Sequence, residues 1–270
     1  MNLLDLPLEI ILSVAERLDS SYDTIMFART TKVLYKTLLS VVYKLNVRLE
    51  NSCLLHWAAM TNNQQMTEQL ANQFHADVNA KFKSSTPLIY AAAWGSTSIV
   101  EFLLRQQGIS LSTEDLHGRT ALWYAAWKGH VDIVDLLLQD PRTNPNCQDA
   151  KHGWTPLVAA IKQRHVDIVR NHLEIACASI NTRDRKRWTP IFYAIDSRQM
   201  DIVRLLLANP AINLGVRNRK RETPLIFAAS RGIVSIVEAL LEHPRNGSEL
   251  HDAYGRSALW LMWTEPRPLI

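Results

Sequence analysis

The sequence is poor in the features that mark several classes of protein. Its 270 residues include only three cysteines, Cys53, Cys147 and Cys177, which lie far apart and form no CxxC pair. This pattern argues against a disulfide framework or a zinc site, and it predicts the cytoplasm, the nucleus or both as the compartment. No apolar run reaches the roughly 18–20 residues that a membrane helix needs. The first residues also lack the basic start of a secretory signal.

Motifs of catalysis and nucleotide binding are missing as well. The sequence contains no P-loop, no Gly-rich dinucleotide fingerprint, no zinc-protease motif and no nucleophile elbow. Several histidines fall at repeat-related loop positions, and no catalytic triad can be assembled at reachable spacing. The net charge of +4 is too small to indicate a nucleic-acid-binding protein. We therefore expect a protein that is not an enzyme and that needs no cofactor and no metal.

A repeated pattern, Thr-Pro-Leu-x-x-Ala-Ala in its fullest form, runs through the chain. Its copies begin at residues 53, 86, 120, 155, 189, 223 and 257, so that they lie 33 to 35 residues apart. A second pattern, Ile-Val-x-x-Leu-Leu in its fullest form, keeps the same step and begins at Ile99, Ile133, Ile168, Ile202 and Ile236. Such apolar spacing marks a helix buried along one stripe. Each repeat therefore predicts a turn, a short first helix and a longer second helix.

Residues at fixed positions of the repeat agree with this prediction. The threonine can cap the first helix, and the proline suits its first turn. Glycine recurs where the chain must turn between the two helices, at Gly95, Gly129 and Gly232. Glycine also recurs in the turn before the first helix, at Gly118, Gly153 and Gly255. Arg187 and Arg221 replace it in two repeats, at a cost of about 1 kcal/mol each if that backbone requires a positive φ.

The period and the Thr-Pro-Leu-x-x-Ala-Ala motif resemble the ankyrin-repeat family over residues 51–263. The resemblance implies an all-α solenoid of six full repeats plus a partial one, with short hairpin tips, and a role in binding other proteins. The histidine that the family places after Thr-Pro-Leu is present only as His56. Since the last repeat stops after about one helix, we expect residues 264–270 to form a C-terminal tail.

Residues 1–45 do not fit the repeat and predict three short helices. Pro7 opens the first helix, with Glu9 favourably placed in its first turn. This segment, led by Leu3-x-x-Leu6-Pro7, resembles an F-box, and an F-box that leads into ankyrin repeats is similar to an arrangement frequent in filamentous fungi. The resemblance implies binding to the Skp linker protein of a cullin–RING ubiquitin ligase through Leu3, Leu6, Pro7, Ile10 and Ile11.

Two functions remain open for a chain with this organisation. With an F-box, it is the substrate-recognition subunit of an SCF-type ubiquitin ligase, and its repeats hold the target. Alternatively, residues 1–45 form only a helical cap over the first repeat, because a solenoid must be sealed at its ends. The chain is then a scaffold or tether without a role in ubiquitin transfer.

The register of the repeats predicts where a protein target would bind. Tryptophan is enriched at interface hot spots, and four tryptophans flank the repeated motif: Trp94, Trp127, Trp154 and Trp188. They either contact a target, together with the neighbouring Lys128, or pack along the adjacent repeat. A second aromatic row is expected to be core with partial exposure: Trp57, Tyr90, Tyr124, Tyr193 and Phe227.

Two basic clusters, residues 183–187 and 217–221, lie one repeat apart. We expect them to stack as adjacent hairpin tips. Their side chains could hold an acidic or phosphorylated segment of a target, and the predicted contacts are Arg185, Lys186, Arg219 and Lys220. A nuclear-import signal, a nucleic-acid contact and ordinary solvated charge are the alternatives.

Overall fold

The computed structural model describes residues 53–174, 179–246 and 251–264. The F-box-like segment predicted at residues 1–45 and nearly all of the tail predicted at residues 264–270 lie outside these ranges. The chain divides into two compact units, residues 1–116 and 117–270. Within the described ranges, no helix is both long enough and apolar enough to cross a membrane.

Among the residues that the structure describes, the first unit contains two helix pairs. They are α1 (Cys53–Met60) with α2 (Gln64–Glu68), which continues into a π-helical turn (Gln69–Gln73), and α3 (Pro87–Trp94) with α4 (Thr97–Leu104). Helix α1 packs on α3, and α2 packs on α4. The buried His56 also connects the two helix pairs. Its Nε2 lies 2.9 Å from the carbonyl oxygen of Ala80 and 3.0 Å from that of Ser85. His56 therefore ties α1 to the loop that precedes α3.

The second unit contains four further helix pairs and a single last helix among the residues that the structure describes. Its elements are α5 (Ala121–Lys128), α6 (Val131–Gln139), α7 (Pro156–Gln163), α8 (Val166–Glu174), α9 (Pro190–Asp196), α10 (Met200–Ala208), α11 (Pro224–Ser230), α12 (Val234–Glu242) and α13 (Ala258–Thr264). The first helices stack in the order α5, α7, α9, α11 and α13, and the second helices stack in the order α6, α8, α10 and α12. This is the all-α solenoid that the repeat predicts.

The predicted threonine caps are present in most repeats. In four of them the hydroxyl oxygen accepts the backbone N–H three residues later, at 3.3–3.4 Å; these are Thr86, Thr120, Thr155 and Thr223. Thr189 differs, because its Oγ1 is buried without a hydrogen-bond partner in the described part of the chain. Paired alanines such as Ala125 and Ala126 are fully buried, so the small side chains allow adjacent first helices to approach closely.

The backbone at Arg187 and Arg221 has the conformation that the glycines of other repeats predict. Both arginines have φ +61°, close to the +69° of Gly118 and the +77° of Gly153. A side chain in this left-handed region is disfavoured by contact between Cβ and the following carbonyl oxygen. The expectation of a positive φ is therefore confirmed, and two exposed arginines occupy a backbone geometry that suits glycine.

We predict that Arg187→Gly raises the free energy of unfolding by about 1 kcal/mol, because glycine has no Cβ to clash at positive φ. Urea denaturation followed by circular dichroism measures the change. Arg185→Gly is the matched control, since Arg185 lies two residues away in the same tip and is not at positive φ. The control should be neutral or slightly destabilising. Equal stability of the two variants would show that Arg187 is not strained.

Candidate protein-interaction surface

Each hairpin tip of the second unit is organised by a buried acidic or amide side chain. Asp184 is 8% exposed, and its Oδ1 accepts the backbone N–H groups of Lys186 at 2.8 Å and Trp188 at 2.7 Å. Asn218 occupies the same place in the next repeat and accepts those of Lys220 at 2.9 Å and Glu222 at 3.0 Å. These bonds hold the backbone of each tip around its anchoring side chain, while most of the basic side chains of the tips are exposed.

The tips of successive repeats in this unit lie side by side, as their one-repeat spacing predicts. The backbone N–H of Ala150 donates to the carbonyl oxygen of His117 at 2.7 Å, and that of Arg185 donates to His152 at 3.1 Å. The guanidinium of Arg219 donates to the carbonyl oxygen of Arg185. The two basic clusters, residues 183–187 and 217–221, are thus direct neighbours. We call them the basic tips.

Aromatic side chains form a connected row through the second unit. Trp127 stacks between Trp123 and Trp154, with ring centroids 5.3 Å and 6.2 Å away. The indole N–H of Trp154 donates to the hydroxyl of Tyr193 at 2.7 Å, and the Tyr193 ring lies 5.1 Å from that of Trp188. Trp188 in turn contacts Phe227 at 5.1 Å. We call this set the aromatic row.

Cationic side chains lie over the aromatic row. The Lys162 Nζ is 5.9 Å from the centroid of Trp154 and 5.7 Å from that of Tyr193, and Lys186 Nζ is 5.4 Å from that of Trp188. A cation within about 6 Å of a ring face is attracted by the ring quadrupole. This surface therefore presents positive charge on an apolar base.

The predicted contact residues fall into three groups. Trp127, Trp154 and Trp188 are half-buried in the aromatic row, so the alternative that they pack along adjacent repeats holds for part of each ring. Trp94 is 61% exposed and belongs to the first unit. The predicted basic contacts are all exposed: Lys128, Arg185, Lys186, Arg219 and Lys220. The predicted Skp contacts Leu3, Leu6, Pro7, Ile10 and Ile11 lie outside the described residues.

Tyr193 connects several residues of this surface. The sequence pattern predicted it only as a core residue with partial exposure. It is 2% exposed, and its hydroxyl donates to the Asp184 carboxylate. Burial, reinforced by the Asp184 carboxylate, raises the pKa of Tyr193 above its ordinary value. The hydroxyl therefore stays protonated and links one basic tip to Trp154 of the preceding repeat.

Lys162 was not among the predicted contacts, although the repeat register could have identified it. It lies 35 residues after Trp127, at the same position of its helix, seven residues after the capping threonine. Its importance comes from the two rings beneath it.

Among the described residues, no three His, Cys, Asp or Glu side chains come close enough to hold a metal ion.

Comparison with known proteins agrees with the repeat and with the fold. The family model of ankyrin repeats in three copies matches residues 26–115, 55–149 and 122–218. The first match begins inside the segment for which the sequence predicts an F-box-like module. Among solved structures, the ankyrin repeat domain of Bcl-3 superposes with a TM-score of 0.69 at 26% identity, over 77% of this chain and 92% of that one.

Similar curated proteins share parts of the sequence. A putative E3 ubiquitin-protein ligase of Arabidopsis thaliana, XBAT31, is 31% identical over 46% of this chain and 30% of its own length. The 26S proteasome non-ATPase regulatory subunit 10 of Dictyostelium discoideum is 36% identical over 28% of this chain and 32% of its own. The matches thus span about a third of these relatives. Because the family model covers more than half of the sequence, the chain belongs to the ankyrin-repeat family.

Proposed function

We propose that this protein is the substrate-recognition subunit of an SCF-type ubiquitin ligase. Ankyrin repeats bind protein targets, and the repeats of this chain therefore have a role in protein–protein interaction. The proposal adds that residues 1–45 bind the Skp linker while the repeats hold the target. The observation that carries the target-binding half is the aromatic row with its overlying cations.

The aromatic row has the composition expected of a binding surface. Half-buried tryptophans supply large contact area at little entropic cost, and aromatic and arginine side chains dominate the energetics of protein interfaces. Lys162 and Lys186 lie over the rings of Trp154 and Trp188. A target that covers these positions would bury apolar ring edges and pair with cations at the same time.

Support for the ubiquitin-ligase half comes from the sequence and from one relative. The Leu3-x-x-Leu6-Pro7 segment resembles an F-box. The similar Arabidopsis thaliana protein is described as a putative E3 ubiquitin-protein ligase. Both observations support a role in ubiquitin ligation, and an experiment that measures binding to a Skp linker protein can test it.

Co-purification of the full chain with a Skp linker protein tests the proposal. We expect the wild type to retain the linker and the double variant Leu6→Ala, Pro7→Gly to lose it, because these residues lead the F-box-like motif. A matched control, Lys186→Ala with Lys220→Ala, changes only exposed side chains of the basic tips and should retain the linker. Absence of linker binding by the wild type would remove the ligase role.

A second function is favoured by the first family match, which begins at residue 26. If residues 26–45 continue the repeat, the N-terminal segment is a cap and the protein is a scaffold or tether. Deletion of residues 1–45 would then lower the midpoint of thermal unfolding, because Leu54 and Leu55, which are buried, would lose cover. An unchanged midpoint would count against the cap.

A further inference from the structure

The positive charge of this protein is concentrated in the two basic tips. Residues 183–187 contain four basic side chains and one acidic side chain, and residues 217–221 contain four basic side chains and no acidic one. The tips thus carry a charge of +7, whereas the whole chain carries only +4. The rest of the chain is therefore net negative, and the tips are a local positive region on it.

The cations of the tips are not paired with carboxylates of the described residues. None of the eight basic side chains forms an ion pair among the residues that the structure describes, whereas Arg142, Arg231 and Arg256 elsewhere in the same unit do. The nearby anions are turned inward: Asp184 and Glu222 are each 8% exposed and are engaged in hydrogen bonds within their own tips. Positive charge is thus left uncompensated at the surface.

The adjoining aromatic row argues against a nucleic acid as the partner. Single-stranded nucleic acids bind through basic grooves in which bases stack on the faces of aromatic rings. Here the faces are already occupied: Trp127 lies between Trp123 and Trp154, and Trp188 is stacked on Phe192 at 5.9 Å. Ring edges and cations remain for contact, which suits a polypeptide.

The spacing of the cations favours a run of carboxylates over a single phosphate. A phosphate site gathers several donors around one anion. In the tips, the exposed cations instead follow one another across two adjacent repeats. The two tips are joined by the hydrogen bond from the Arg219 guanidinium to the carbonyl oxygen of Arg185. This arrangement presents a line of charge that an extended acidic segment can follow.

We infer that the basic tips, together with Lys162 at the edge of the aromatic row, bind an extended Asp- and Glu-rich segment of a protein target. This inference rests on the proposed function, since it names the class of target that the repeats hold. Arg185, Lys186, Arg219 and Lys220 pair with successive carboxylates of the segment. The apolar edges of Trp154 and Trp188 receive the side chains between them.

Fluorescence anisotropy with the purified full chain and a labelled peptide rich in Asp and Glu tests the inference. We expect saturable binding that weakens as salt rises, because exposed ion pairs are screened. The charge-reversal variant Arg185→Glu, Lys186→Glu, Arg219→Glu, Lys220→Glu should bind at least about tenfold more weakly. A matched control reverses four exposed arginines elsewhere in the same repeats and should bind like the wild type: Arg164→Glu, Arg170→Glu, Arg198→Glu and Arg204→Glu.

Three further probes make each outcome decisive. A peptide with Gln and Asn in place of Glu and Asp should not bind. Tighter binding of a peptide with a single phosphoserine, or of single-stranded RNA, than of the acidic peptide would overturn the inference, as would equal losses in both fourfold variants. The Skp-linker co-purification on the same preparation separates the two proposals. A chain that retains the linker but binds no acidic peptide loses only this inference.

Discussion

Replacing His172 by leucine is expected to stabilise the protein and to remove much of its sensitivity to mild acid. His172 lies on the buried stripe of α8, at the position that Leu137 and Leu206 occupy in the adjacent repeats. It is 1% exposed, and its Nδ1 has no hydrogen-bond partner in the described part of the chain. A buried unpaired polar atom costs about 1–3 kcal/mol, and leucine removes it.

The pH dependence follows from the ionisation of the same side chain. Desolvation by burial lowers the pKa of His172 from 6.5 to about 4. Between these values the unfolded chain binds a proton that the folded chain does not, so acid favours unfolding. The stability that depends on neutral His172 is fully present above about pH 6.5. The free energy of unfolding then falls by about 3 kcal/mol as the pH drops from 6.5 to the folded pKa of His172.

Urea denaturation of the wild type and of His172→Leu, at about pH 7 and about pH 5, measures both effects. We expect the variant to be more stable by about 1–3 kcal/mol at pH 7, with a larger advantage at pH 5. His251→Leu, at an exposed position, controls for the loss of an imidazole and should change little. An advantage of His172→Leu that did not grow in acid would show that His172 is not buried in its neutral form.

Asp184→Ala is expected to destabilise the second unit and to weaken binding at the basic tips. The carboxylate accepts the backbone N–H groups of Lys186 and Trp188 and the hydroxyl of Tyr193. Alanine would leave these three donors without their acceptor, at about 1 kcal/mol or more for each. We therefore expect a loss of about 3–4 kcal/mol, together with a disordered tip that no longer presents its cations.

Asp184→Asn is the matched control, because Asn218 performs the same role in the next tip. An amide oxygen can still accept the two backbone N–H groups, so we expect a loss of only about 1 kcal/mol, from the weaker bond to Tyr193. Thermal unfolding measures stability, and acidic-peptide anisotropy measures binding. Binding by the Asn variant should be no weaker than wild type, since it removes a negative charge. Equal destabilisation by Ala and Asn would contradict this account of the tip.

The features that recur from repeat to repeat could be predicted from the sequence. The period, the order of helices and the threonine caps follow from local hydrogen-bonding chemistry and from the apolar spacing of single helices. The positive φ of Arg187 also followed, because the aligned glycines mark a backbone geometry rather than a side-chain contact. The adjacency of the basic tips followed from their spacing of one repeat.

The contacts that join different repeats could not be predicted in the same way. The sequence left open whether Trp154 and Trp188 contact a target or pack along the adjacent repeat, and the structure shows each ring half-buried against aromatic neighbours. The sequence also did not indicate that Tyr193 links Asp184 to Trp154 across a repeat boundary. Burial of a side chain depends on what the next repeat places over it, and a pattern that is local to one repeat does not contain that information.

The sequence by itself therefore determined the ankyrin-repeat architecture and the clustering of positive charge. Both arise from residues that act within one turn or one helix: the repeated motif recurs every 33 to 35 residues, and the two basic clusters lie one repeat apart. Only the tertiary structure decided which side chains remain available to a partner. The stacking of repeats covers the ring faces and turns Asp184 inward, while the cations stay in water because a buried charge without a partner is costly.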